Sequence, residues 1–139
     1  MKTYRFSDIR VMGMPTMNDI RNPYIFPAGI RHIINVSEHK YPEDVRKAIE
    51  DKGIKCYHFP ISEADGASWD ASIKEVLTIL RAIHDMKEGV IVHCTCGNNR
   101  SRSVVEAFHL DLTGEHIDDE YKGYSNHYLY NVSLGHITP

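Results

Sequence analysis

Cys94 and Arg100 bracket the segment Thr95-Cys96-Gly97-Asn98-Asn99, with His93 in front and Ser101 behind. These residue types at this spacing suit one chemistry: attack by a thiolate on an anion held by a guanidinium and by backbone amides. Arg100 offers a planar fork of donors that can grip two phosphate oxygens, which the point charge of a lysine does not match. Gly97 permits a tight turn and close approach of backbone to an oxyanion. Thr95, Cys96, Gly97, Asn98, Asn99 and Arg100 are therefore the candidate phosphate-binding residues, through their N–H groups at a helix opening. A free thiol has a pKa of about 8.5, and a helix N-terminus with a nearby cation lowers it by several units. Cys94 is then the candidate nucleophile, ionised at neutral pH. The Ser101 hydroxyl can donate to that sulfur and help it depart. His93 belongs to the strand end beneath the cradle. Its expected part is to orient the loop through backbone hydrogen bonds, not to protonate substrate.

Such a loop needs a strand to deliver it and a helix to receive it. Val90-Ile91-Val92 reads as a buried strand ending at His93. Downstream, Val104, Val105, Phe108 and Leu112 share a helical stripe that starts near Ser101, and Gly114 closes it. Upstream, Ile30 to Val36 reads as another buried strand. Pro42-Glu43-Asp44 opens a helix with proline at its first position, Val45, Ala48 and Ile49 give it an inner face, and Gly53 ends it. Lys55 to Ile61 reads as a further strand. Residues 71–86 carry Ile73, Val76, Leu77, Leu80 and Ile83 on one face, with Asp70 or the pair Ser72 and Glu75 as caps. A short last helix is expected around Tyr124 to Val132. Strands alternating with helices predict a single α/β domain over residues 1–139, a mainly parallel central sheet flanked by helices. In such sheets ligands bind at the carboxyl ends of strands, where the Cys94 loop emerges.

Composition narrows the partners. The chain has 139 residues and a formal charge of −3, which does not suit a general nucleic-acid binder. No apolar run approaches membrane-spanning length. Three cysteines do not make a disulfide framework, so a reducing, cytoplasmic setting is expected. Cys94 and Cys96 are too close in sequence for an unstrained bridge, and no second cluster has zinc spacing, so no metal or other cofactor is expected. Cys96 is expected to fill a small site under the loop, and Cys56 and Trp69 to pack in the core.

The His-Cys-Thr-Cys-Gly-Asn-Asn-Arg-Ser run resembles the signature loop of the cysteine-dependent protein tyrosine phosphatases. Three further stretches are similar to the small dual-specificity branch of that superfamily: Gly29 to Ser37, Gly53 to Ile61, and Ala107-Phe108-His109-Leu110. The likeness covers roughly residues 8 to 132. It implies a phosphatase-like fold and a two-step hydrolysis through a cysteinyl-phosphate without a metal. It also implies a general acid on a loop shortly after a proline-containing strand end. Here Pro60-Ile61-Ser62-Glu63-Ala64-Asp65-Gly66-Ala67 presents two carboxylates. Glu63 sits nearest the expected offset from the proline. Asp65 has the expected residue type and is the favoured acid. The expected substrates are phosphorylated proteins, bearing phosphotyrosine and also phosphoserine or phosphothreonine, or a small phosphomonoester. Asn98 and Asn99 stand where extra cations would serve polyphosphorylated lipids. The alternative is a phosphate-binding module with weak or no turnover.

Overall fold

The computed structural model describes residues 9–62, 64, 66–95 and 100–114. Four strands form one sheet: β1 (Ile9–Met12), β2 (Ile30–Asn35), β3 (Lys55–His58) and β4 (Gly89–His93). Their order is β1-β4-β2-β3, and every pairing is parallel. Four helices complete the chain: α1 (Met17–Arg21), α2 (Glu43–Asp51), α3 (Gly66–Asp85) and α4 (Arg100–Thr113). The expected parallel α/β architecture is therefore present. None of these helices is long and apolar enough to cross a membrane.

The sheet is covered on both faces, which is why Val90, Ile91 and Val92 of the central strand β4 form an apolar run without alternation. All five residues of β4 are buried. Val90 and Val92, with Ile34 of β2, face one layer made by Val76, Leu80, Ile83, Val104, Val105 and Phe108 on the inner faces of α3 and α4. Ile91 faces the other layer with Ile33 of β2, Ile20 of α1, and Val45 and Ile49 of α2. Ile30 and Ile33 share a face despite their odd spacing. The β2–β4 register shifts between Ile30 and His32, leaving Arg31 as an extra residue that resets the alternation.

From β2 the chain runs outward through α2 to β3, then returns through α3 to place β4 on the other side of β2. The two connections leave on opposite faces. The crevice at such a reversal lies beyond the carboxyl ends of the diverging strands, here β2 and β4.

Several boundaries differ from the expected ones. α3 begins at Gly66, ahead of the expected residue 71, because Trp69 is only 7 % exposed and extends the buried stripe of Ile73, Val76 and Leu80. Asp70 is thus a residue within the helix and not its cap. Pro42 occupies the N-cap of α2, and Glu43 is its first helical residue. β3 stops at His58, although the Phe59 N–H still donates to the Asn35 carbonyl at 2.9 Å. Gly53 and Gly114 follow α2 and α4 with φ of +78° and +76°, the left-handed geometry that glycine adopts freely. The helix expected around Tyr124 to Val132 lies outside the described residues.

Candidate active site

β4 ends at His93, and α4 begins at Arg100. Where the chain leaves β4 it is tied down on both sides. The Val36 N–H donates to the His93 carbonyl at 2.9 Å, and the Met14 N–H donates to the Thr95 carbonyl at 3.0 Å. His93 and Thr95 are thus held from the residue after β2 on one side and from the β1–α1 connection on the other.

Cys94 is 1 % exposed, with its Sγ 3.4 Å from Oγ of Ser101 in the first turn of α4. Arg100 is also buried, and its guanidinium spans three segments. Nη1 donates to the Ile61 carbonyl at 2.7 Å, and Nη2 to Oγ1 of Thr95 at 3.2 Å. Nη1 also lies 3.4 Å from the carboxylate of Glu38, on the loop after β2. Glu38 is about half exposed, so solvent screens this pair and its contribution is small. The Ile61 contact brings the guanidinium to the start of the segment that carries the two acid candidates.

His93 is fully buried. Its Nδ1 lies 3.1 Å from the Cys94 carbonyl, and its Nε2 lies 2.5 Å from the Tyr41 hydroxyl. Burial pulls its pKa down to about 4, with nearby His58 adding to the effect and the Cys94 carbonyl opposing it. The ring is therefore neutral at physiological pH. A carbonyl only accepts, so Nδ1 carries the proton, Nε2 accepts, and Tyr41 donates. Burial likewise keeps the Tyr41 phenol protonated, pushing its pKa well up.

The loop after β2 is stiffened by Asn35. Its Oδ1 accepts from the Ser37 N–H at 2.9 Å and from the Ser37 hydroxyl at 2.7 Å, while its Nδ2 donates to the His39 carbonyl at 2.7 Å. His58 Nε2 donates to the Ser37 carbonyl at 2.9 Å. These bonds fix the turn from which Glu38 and Tyr41 reach the Cys94 loop.

Cys94, Thr95, Arg100, Ser101 and His93 are thus gathered at one strand end. Cys96, Gly97, Asn98 and Asn99 lie outside the described residues, as do both acid candidates, Glu63 and Asp65. The flanks of that acid segment are fixed. The Ser62 N–H donates to Oγ of Ser68 at 2.9 Å, and the Ala64 N–H to Oγ of Ser62 at 3.2 Å. Cys56 packs on the α1–α2 side, whereas Cys94 packs on the α3–α4 side, so the sheet separates the two thiols. Burial pushes Cys56 up to about 11, which makes it a packing thiol and not a nucleophile at neutral pH. Among the described residues, no three His, Cys, Asp or Glu side chains gather as a metal site would require.

Tyr41, Glu38 and the Ile61 carbonyl were not singled out from the sequence. Each reaches the loop through strand order, which no local pattern encodes. The one available signal was Asn35-Val-Ser37 at a strand end, a combination that favours a side-chain-locked turn.

The family model for "Dual specificity phosphatase, catalytic domain" matches residues 14–126. A curated relative, the probable dual specificity protein phosphatase H1 homolog of Fowlpox virus, is 29 % identical over 87 residues, covering 63 % of this chain and 49 % of the relative. The chain therefore spans about half the length of that relative. Among solved structures, human DUSP28 superposes with a TM-score of 0.64 at 15 % identity, over 86 % of this chain and 80 % of that one. The core catalytic domain of the PP-IP phosphatase SIW14 from S. cerevisiae superposes with a TM-score of 0.63, also at 15 % identity, over 94 % and 90 % of the two chains. At such identities these superpositions establish a shared fold.

Proposed function

This chain belongs to the family of dual specificity phosphatase catalytic domains, and on that premise we propose that it hydrolyses phosphate monoesters through a cysteinyl-phosphate on Cys94. The observation that carries the reading is the convergence at the end of β4. A buried Cys94 sulfur lies 3.4 Å from a serine hydroxyl, and a buried Arg100 guanidinium is anchored across the same loop.

In the first step the Cys94 thiolate attacks phosphorus, and the bond to the leaving oxygen breaks. A carboxylic acid gives that oxygen its proton; Asp65 is the favoured donor and Glu63 the second candidate. Arg100 and the N–H groups of Thr95, Cys96, Gly97, Asn98, Asn99 and Arg100 hold the three equatorial oxygens while charge spreads over them. In the second step water attacks phosphorus and gives a proton to the same carboxylate. The sulfur–phosphorus bond breaks, and Ser101 donates to the departing thiolate. His93 stays neutral throughout and holds the loop. No step requires a metal or another cofactor.

The substrates in this reading are phosphorylated proteins, with small phosphomonoesters as an alternative class. A reducing compartment such as the cytoplasm suits a thiolate nucleophile. The test is hydrolysis of an aryl phosphate by the purified protein in the presence of a metal chelator. Turnover that vanadate blocks and that Cys94→Ser abolishes is the expected result. Undiminished turnover by Cys94→Ser rejects the nucleophile, and absence of turnover in the unaltered protein rejects the activity.

A further inference from the structure

A cavity of about 570 Å³ opens beside the Cys94 loop, on its β1 side. Thr95 is the partition between the two. The Met14 N–H, from the cavity wall, donates to the Thr95 carbonyl at 3.0 Å, while Oγ1 of Thr95 accepts from Arg100 Nη2 at 3.2 Å. The wall from α4 is Arg102, half-buried and two residues beyond Arg100. Two residues of helix turn through about 200°, so the two side chains leave α4 on opposite sides, from Cα atoms only about 5 Å apart. One or two residues of extended chain, at about 3.3–3.6 Å each, cover that separation.

Asn22 and Tyr24, after α1, line the same cavity. Asn22 Oδ1 accepts from the Tyr24 N–H at 2.9 Å, which leaves its amide nitrogen as the group it can offer a ligand. Tyr24 is 74 % exposed and carries a phenol that can donate. Met14 and Ile25 add apolar surface against which methylene groups can rest. Asp19 is the one acid among the described residues of the wall, and its Oδ2 accepts from the Thr16 N–H at 2.8 Å.

We propose that this cavity is a specificity subsite, taking the carboxylate of an aspartate or glutamate one or two residues from the phosphorylated residue of a protein substrate. Arg102 supplies the charge, and its planar fork matches a carboxylate. Asn22 and Tyr24 supply further donors. Asp19 sets the limit: beside one cation and one acid, a single carboxylate is better accommodated than the dianion of a second phosphate. The assignment rests on the phosphatase reading of the Cys94 loop.

The test uses phosphotyrosine peptides of one length that differ only beside the phosphotyrosine. One carries glutamate before it, one glutamate after it, one alanine on both sides, and one phosphoserine in place of the favoured glutamate. Each protein is scored by its own ratio of kcat/KM between glutamate and alanine peptides, so a general loss of activity cancels. The unaltered protein is expected to favour one glutamate peptide by roughly five- to tenfold, the size of one hydrogen bond to a charged group at a half-buried site. That preference should shrink as salt is raised. Arg102→Gln should bring the ratio close to one, and Arg102→Glu should invert it. Equal rates on glutamate and alanine peptides overturn the proposal, as does a preference that Arg102→Gln retains. A phosphoserine peptide preferred over the glutamate peptide overturns the carboxylate assignment. If the Arg102 variants do not fold, Tyr24→Phe decides, because so exposed a side chain is not needed for packing: a lowered ratio supports the subsite and an undiminished one overturns it. Hydrolysis of every peptide without preference fails the subsite alone. Hydrolysis of neither peptides nor an aryl phosphate fails the functional reading, and the subsite falls with it.

Discussion

Acidification should destabilise this fold through His93 in a calculable window. The imidazole has an ordinary pKa of 6.5 and is lowered to about 4 in the folded protein, chiefly by burial. Between these values the unfolded chain binds a proton that the folded chain refuses. Stability therefore rises with pH across the window: it is undiminished above 6.5, falls as pH drops, and carries the full penalty at and below about 4. At about 1.4 kcal/mol per pH unit, the gap between 6.5 and about 4 is worth about 3 kcal/mol. That is a large share of the roughly 5–15 kcal/mol that holds a domain together. The comparison is with His93→Asn, whose amide can still donate to the Cys94 carbonyl but does not titrate. Denaturant unfolding of both proteins, at neutrality and near pH 4, gives four free energies. The variant is expected to be the less stable at neutrality, because its shorter side chain leaves Tyr41 without an acceptor. Between neutrality and acid, the unaltered protein should lose about 3 kcal/mol more than the variant. Parallel losses in the two proteins would refute the buried neutral imidazole.

Two further outcomes follow from the site. Arg100→Lys keeps the charge but loses the planar fork that reaches the Ile61 carbonyl and Thr95 together; kcat/KM for an aryl phosphate should fall on the order of 10²–10³-fold, as for removal of an oxyanion donor. Asp65→Asn should remove the basic limb of the pH–rate profile, and Glu63→Gln should leave it in place; the opposite pair of profiles would make Glu63 the general acid.

The parts of the fold legible in the sequence were those whose burial is encoded locally. Val90-Ile91-Val92 could be read as a strand covered on both faces because all three residues are apolar, and the helix after Ser101 because its stripe repeats. β1 was not anticipated. Its four residues alternate between buried and half-buried, and Ile9-Arg10-Val11-Met12 is too short to stand out. α1 was also missed, although Thr16 and Asp19 form a capping box that its sequence spells out. α3 starts ahead of residues 71–86 because the large side chain of Trp69 is the first member of its buried face, while the residues around it, Gly66 to Asp70, carry no apolar repeat of their own. At the site, the Cys94 to Ser101 run is contiguous, so its chemistry could be read from residue types. Glu38, Tyr41 and the Ile61 carbonyl come from distant segments. They meet the loop only because β4 inserts beside β2, and strand order in a parallel sheet leaves no mark on either strand's own sequence. The roles of Glu63 and Asp65 depend on which carboxylate reaches the leaving oxygen, a matter of loop geometry and not of residue type.

The most direct test of the account is to look for phosphorus on sulfur. Purified protein mixed with an aryl phosphate and quenched in acid within the first turnovers should yield, by peptide mass spectrometry, a phosphoryl group on the peptide containing Cys94. It should form and decay at rates consistent with kcat and be absent from Cys94→Ser. Full turnover with no phosphoryl group ever carried by the protein, or with one found on another residue, would contradict the central claim.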